Sequence, residues 1–121
     1  MNETVTPMIH VPDVGATVNW YRNIGFELTD MYDDGGDGLS FAILAFGASK
    51  VMFNSGGQPS SQRRREVDLY IYVENVEEVS NRLHGQVEVV KGLHETFYGM
   101  REVIIRDLNG FWITFGQDRP R

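Results

Sequence analysis

Apolar and polar residues alternate along several short stretches of this chain, and the alternation recurs at a fixed offset of 62 residues. Val5, Ile9, Val11 and Val14 fall on Val67, Ile71, Val73 and Val76. Phe41, Ile43, Val51 and Phe53 fall on Val103, Ile105, Ile113 and Phe115. Only seven of the fifty positions from 5 to 54 are identical at that offset, but the agreement sits where strands and helix caps belong. Asp13 falls on Asn75, and both are short acceptors that can cap a helix. Two copies of one structural unit are implied, with a space between the copies where a ligand can bind.

Period-two alternation predicts a first strand over 5–11, and Pro7, which lacks an N–H, places it at a sheet edge. Asp13 opens a helix that runs to about Asn23, with Val14, Val18 and Tyr21 as its apolar stripe and Gly25 as its stop. Strands follow at 26–32, 39–46 and 50–54, separated by turns over 33–38 and 47–49. The second copy predicts a strand over 67–73 and a helix opened by Asn75, with Glu78 three residues on. Its stripe is Val76, Val79 and Leu83, and Gly85 ends it. A short strand over 87–91 precedes a hairpin of 101–106 and 111–116, which turns at Asp107-Leu108-Asn109-Gly110. His84 falls at a helix end and His94 in a loop. The order β-α-β-β-β, twice, predicts an α+β fold: two tandem modules in a single domain of 1–121, spanning 4–54 and 67–117 and joined by a linker over 55–66. Their mixed sheet is expected to curl around a central cavity with the helices on its outer face.

The same alternation assigns faces. Ile9, Val11, Val51, Phe53, Leu69, Ile71, Val73, Ile113 and Phe115 share one phase and belong under the helices. The opposite phase holds Thr6, Met8, His10, Met52, Asn54, Asp68, Tyr70, Tyr72, Trp112 and Thr114. That mixture is too polar for a second dry core and too aromatic for ordinary surface. It suits a ligand pocket, although a wet sheet face or one covered by a partner subunit has the same composition.

Composition narrows the choice. The length of 121 residues bounds the chain to one domain's worth of core. A net charge of -6 disfavours nucleic acid, whose phosphates need a positive face. The arginine triplet Arg63–Arg65 sits in linker composition and reads as solvated. No apolar run approaches the ~18 residues of a membrane span, and no secretion signal opens the chain. Zero cysteines exclude thiolate chemistry and disulfides and fit a reducing, cytoplasmic location.

Three stretches carry a family resemblance. They are His10-Val11-Pro12-Asp13-Val14, then Trp20-Tyr21-Arg22-Asn23-Ile24-Gly25-Phe26, and late in the chain Tyr98-Gly99-Met100-Arg101-Glu102 leading to Asp107-Leu108-Asn109-Gly110. With the doubled module, they make the chain resemble the vicinal oxygen chelate superfamily from about Val5 to Gln117. That group includes glyoxalase I, bleomycin-resistance proteins, fosfomycin-resistance enzymes and extradiol dioxygenases. Its metal-dependent members hold one divalent ion with His and Glu from the first and last strands of each module. The resemblance puts those positions at Thr6, Met52, Asp68 and Thr114. Of these only Asp68 is a strong ligand for the ions concerned, and about three are needed.

No cofactor is therefore expected. The expected function is metal-independent binding of a small molecule, as in the bleomycin-resistance branch, with a basic or aromatic compound such as an antibiotic sequestered. The candidate ligand-binding residues are His10, Met52, Asn54, Asp68, Tyr70, Tyr72, Arg101, Trp112 and Thr114. The aromatic rings would stack and Asp68 would face a positive group, while Arg101 points inward to an anion or pairs with a carboxylate at an edge. The alternative is a divalent-metal lyase, isomerase or dioxygenase of the same superfamily. By analogy a homodimer is the expected assembly, with no nucleic-acid or membrane partner.

Overall fold

The computed structural model describes residues 4–33, 38–58 and 65–118. The glycine-rich turn at Asp34–Asp37, the linker centre at 59–64 with Arg63 and Arg64, and the first three residues lie outside the described residues. The chain divides into two compact units, Met1–Ser60 and Ser61–Arg121.

In the first unit, β1 (Met8–His10), α1 (Val14–Asn23), β2 (Glu27–Asp33), β3 (Leu39–Phe46) and β4 (Ser49–Asn54) follow the anticipated order. They make a four-stranded mixed sheet in the order β1-β4-β3-β2. β1 pairs in parallel with β4, and the other neighbours are antiparallel. Pro7 precedes the edge strand, and its carbonyl still accepts from the Met52 N–H at 2.9 Å. The Asp13 carboxylate accepts from the Ala16 N–H at 2.9 Å, as an N-cap should. At the other end Gly25 takes φ 111°, letting the Phe26 N–H return to the Tyr21 carbonyl at 3.0 Å. The helix buries Val14, Thr17, Val18 and Tyr21. The Tyr21 ring meets Phe53 and Phe26 at centroid distances of 4.8 and 5.1 Å, so helix and sheet share one aromatic core.

The second unit repeats the design. β5 (Leu69–Tyr72), α2 (Val76–Leu83), β6 (Glu88–Glu95), β7 (Met100–Arg106) and β8 (Trp112–Asp118) form a sheet ordered β5-β8-β7-β6. Here too the single parallel pair joins the first and last strands. The Asn75 side chain caps α2 through the Glu78 N–H at 3.0 Å, and the Gln117 amide oxygen accepts from the Val76 N–H at 2.8 Å. Val76, Val79 and Leu83 pack on the face carrying Val103, Ile105, Ile113 and Phe115, all buried. The turn after β7 is held by Asp107, whose carboxylate accepts from the N–H groups of Asn109 and Phe111, each at 2.8 Å. Strands therefore sort into two open sheets, one per unit, and among the described residues no helix is long and apolar enough to cross a membrane.

Some strand bounds differ from expectation. β1 covers only Met8–His10 of the predicted 5–11 and β5 only Leu69–Tyr72 of 67–73, so Thr6 and Asp68 lie just outside the strands. The strand predicted over 87–91 runs on to Glu95, so His94 belongs to β6 and pairs with Glu102 instead of lying in a loop. Lys91, Gly92, His94 and Glu95 hide the strand from an apolar count. What extends it is the turn beyond: Thr96 and Met100 exchange backbone and side-chain hydrogen bonds, and Gly99 takes φ 86°. The register slips between Lys91 and His94, around the glycine.

Two measurements check this packing. A Cβ on Gly57 would lie 2.2 Å from the His10 carbonyl oxygen and 2.5 Å from the Val11 nitrogen, both backbone, whereas one on Gly92 meets nothing within 4 Å. Urea unfolding should show Gly57→Ala losing about 1–3 kcal/mol from forced backbone movement, with Gly92→Ala within about 0.5 kcal/mol of the parent. Asn75→Ala should cost about 1 kcal/mol through the lost cap.

Candidate functional site

Paired residues on neighbouring strands share a sheet face, so register builds the site. In the second unit Tyr70 lies opposite Thr114 and Tyr72 opposite Gly116. On the other side of β8, Ile104 opposes Thr114, Glu102 opposes Gly116 and Arg106 opposes Trp112. His94 opposes Glu102 from β6. All of these fall on the face away from α2. The structure thus brings Tyr70, Tyr72, Trp112 and Thr114 together, as the alternation predicts, and adds Glu102 and His94.

Glu102 is the centre of that face. It is only 2% exposed. One carboxylate oxygen, Oε2, accepts from the Tyr70 hydroxyl at 2.7 Å and from the Tyr98 hydroxyl at 2.8 Å. The other, Oε1, stands 3.5 Å from His94 Nε2. The second ring nitrogen of His94 is 2.7 Å from the Gly92 carbonyl. A carbonyl only accepts, so Nδ1 carries a proton there.

A missing side chain makes the arrangement possible. A Cβ on Gly116 would fall 2.1 Å from the Tyr70 hydroxyl oxygen, so the bare glycine leaves the space through which the Tyr70 hydroxyl reaches Glu102. Tyr70 also packs on Tyr72 at a centroid distance of 4.9 Å. Burial, then the bond to Glu102, pushes the Tyr70 phenol well above its ordinary range. For Tyr98 the bond to Glu102 comes first and burial second, and the direction is also upward.

Other expected residues are placed differently. Arg101 lies on the opposite face from Glu102, toward α2, where its guanidinium is 3.5 Å from the Glu77 carboxylate. Strand alternation forces this: inward for Glu102 means outward for Arg101, so Arg101 does not join the tyrosines. Asp68 sits just before β5 and is exposed. In the first unit, register puts Met52 beside Met8 and Asn54 beside His10 on one face. There the Asn54 amide approaches the Met8 sulfur at 3.9 Å, and His10 Nδ1 lies 3.1 Å from the Ser55 carbonyl.

The superfamily resemblance implies four ligand positions for a divalent ion, and the side chains at them do not fit one. Thr6, Met52, Asp68 and Thr114 offer one carboxylate, two hydroxyls and a soft sulfur. Among the described residues no three His, Asp or Glu side chains come together in a set able to hold a metal ion.

The signal that could have found Glu102 is the alternation over 101–106, where Val103 and Ile105 take the buried phase; the expectation instead leaves Arg101 open as an inward residue. What the alternation lacks is any sign that this carboxylate is buried and shared by two phenols. Both Tyr70 and Tyr98 hold their protons more tightly folded than unfolded. Their stabilising contribution is therefore complete below the unfolded phenol value of about 10 and is lost as pH rises through the folded values. Absorbance titration at 295 nm should show Glu102→Gln ionising Tyr98 at lower pH, and Gly116→Ala doing the same to Tyr70. A Tyr98 midpoint unmoved by Glu102→Gln would refute the assignment.

Comparison with known proteins agrees with this architecture. The sequence model of the Glyoxalase/Bleomycin resistance protein/Dioxygenase superfamily matches residues 4–115. No curated protein matches the sequence significantly. Among solved structures, TioX from Micromonospora sp. ML1 is similar at TM-score 0.78 and 23% identity, covering 97% of this chain and 99% of that one. Virulence protein STM3117 from Salmonella typhimurium gives 0.72 and 19%, covering 98% of each chain. A glyoxalase/bleomycin resistance protein/dioxygenase family enzyme from Burkholderia phytofirmans PsJN gives 0.69 and 15%, covering 93% and 96%. At these identities the structural likenesses speak to fold alone, whereas the family match spans nearly the whole sequence. The chain belongs to the glyoxalase/bleomycin resistance protein/dioxygenase superfamily.

Proposed function

We propose that this protein binds a small aromatic or basic molecule without a metal ion and without turning it over, in the manner of a sequestering bleomycin-resistance protein. The observation that carries the reading is the Tyr70–Tyr72 ring pair beside Trp112 and Thr114 on a sheet face that no helix of its unit covers. Tyr70 is 40% and Tyr72 74% exposed, so their rings are available to a planar ligand. Stacking and cation contacts with such rings each supply ~0.5–2 kcal/mol. Asp68 and Thr114 add polar contacts from the same module, and His10, Met52 and Asn54 present a similar face on the first. The donor chemistry at Thr6, Met52, Asp68 and Thr114 weighs against the metal-dependent lyase, isomerase or dioxygenase reading.

We further propose a homodimer working in the cytoplasm. Exposed apolar groups such as Phe97, at 99%, are the kind of surface a second copy would cover.

A thermal-shift screen with basic aromatic compounds tests the function. A true ligand at a hundredfold excess over its Kd should add about 2.7 kcal/mol to stability, and the shift should grow with concentration. Trp112→Ala should abolish that response, and an undiminished response would place the ligand elsewhere. Metal analysis of untagged protein should find no stoichiometric divalent ion; one bound tightly at one per chain would reverse the reading.

A further inference from the structure

We infer that Glu102, acting through the hydroxyls of Tyr70 and Tyr98, makes a recognition site for a small organic cation, a protonated amine seated against the two phenol oxygens. The inference rests on the reading of this same face as a ligand surface and names the charge that the surface selects.

A buried carboxylate is costly unless its charge is met. Among the described residues, the polar partners of Glu102 are two neutral phenols and one imidazole, which carries charge only when protonated. Arg106, on the same strand and face, directs its guanidinium at Glu88, 3.6 Å away. Arg101 faces away, toward Glu77. The negative charge thus lies under a skin of hydroxyl groups without a permanent cation among those contacts.

The phenols pass that charge outward. A hydroxyl that donates to a carboxylate becomes a stronger acceptor at its own oxygen, because hydrogen bonds in series polarise one another. Tyr70 is 40% and Tyr98 56% exposed, whereas Glu102 is sealed beneath them. Both hydroxyls donate to the same carboxylate oxygen, so their oxygens flank one point and can accept together from one ammonium group. The Tyr72 ring, packed on Tyr70, extends the platform for an organic group attached to that ammonium. Glu102 is therefore a positioning residue, and Tyr70 and Tyr98 are the contacts. The net charge of -6 favours the approach of the same class of ligand.

The test uses the full chain, ¹⁵N-labelled, titrated by NMR with three probes of one shape: benzylammonium, benzyl alcohol and benzoate. Benzylammonium should bind at least tenfold more tightly than benzyl alcohol, and benzoate more weakly than either, with shifts centred on Tyr98, Glu102 and Gly116. Glu102→Gln should bring benzylammonium down to the level of benzyl alcohol, and Tyr70→Phe and Tyr98→Phe should each weaken it severalfold. Glu27→Gln, an exposed carboxylate of β2 in the other unit, should leave it unchanged. The charge ranking in the parent protein stands even if a variant fails to fold. Equal binding of benzylammonium and benzyl alcohol, or undiminished benzylammonium binding in Glu102→Gln, overturns the inference while leaving the face as a ligand surface. Absence of binding by all three probes overturns both.

Discussion

A four-stranded sheet accompanied by one helix can be dried on one face only, and each half of this protein is built on that restriction. In the first unit α1 seals Val11, Val51 and Phe53 with Tyr21 at the centre. In the second, α2 does the same for Ile105, Ile113 and Phe115. What remains is a face with no helix of its own. Its residues must tolerate water, another surface or a ligand, and their composition records the outcome. The same strand order in both units, with one parallel pair between first and last strands, follows from repeating one solution twice.

The second unit uses its uncovered face differently from the first. A carboxylate is drawn almost fully out of water and satisfied by hydroxyl and imidazole groups from three other places in the unit: β5, β6 and the turn before β7. Such a network is sensitive to each member, because a donor left without its acceptor, or the reverse, is expensive in a dry site. Gly116 belongs to the network although it makes no polar contact with its side, since any side chain there would occupy the space of the Tyr70 ring. On the first unit's corresponding face, Met8, Met52 and Asn54 form a softer, more apolar surface with a weak amide–sulfur contact.

Membership in the superfamily describes the scaffold and leaves the chemistry to individual side chains. The positions that serve metal ions in some relatives carry hydroxyls, a thioether and a single carboxylate here. The second sheet instead gathers aromatic rings around a buried carboxylate, Glu102, on the face its helix leaves open.

Local rules account for much of this. Capping by Asp13 and Asn75, the glycine stop at Gly25 and the assignment of Ile113 and Phe115 to one face and Trp112 and Thr114 to the other depend on backbone geometry and period-two alternation, which act over a few residues. The 62-residue repeat extended them to a doubled module. The site's centre obeyed no such rule. His94 entered a strand only because a turn closed by Thr96, Gly99 and Met100 carried the pairing past a glycine. Tyr70 and Glu102 are 32 positions apart, and they meet because β5 and β7 flank β8. Whether a carboxylate is solvated or buried depends on what the folded chain lays over it, and that is a matter of contacts between distant strands, to which neither composition nor periodicity is sensitive.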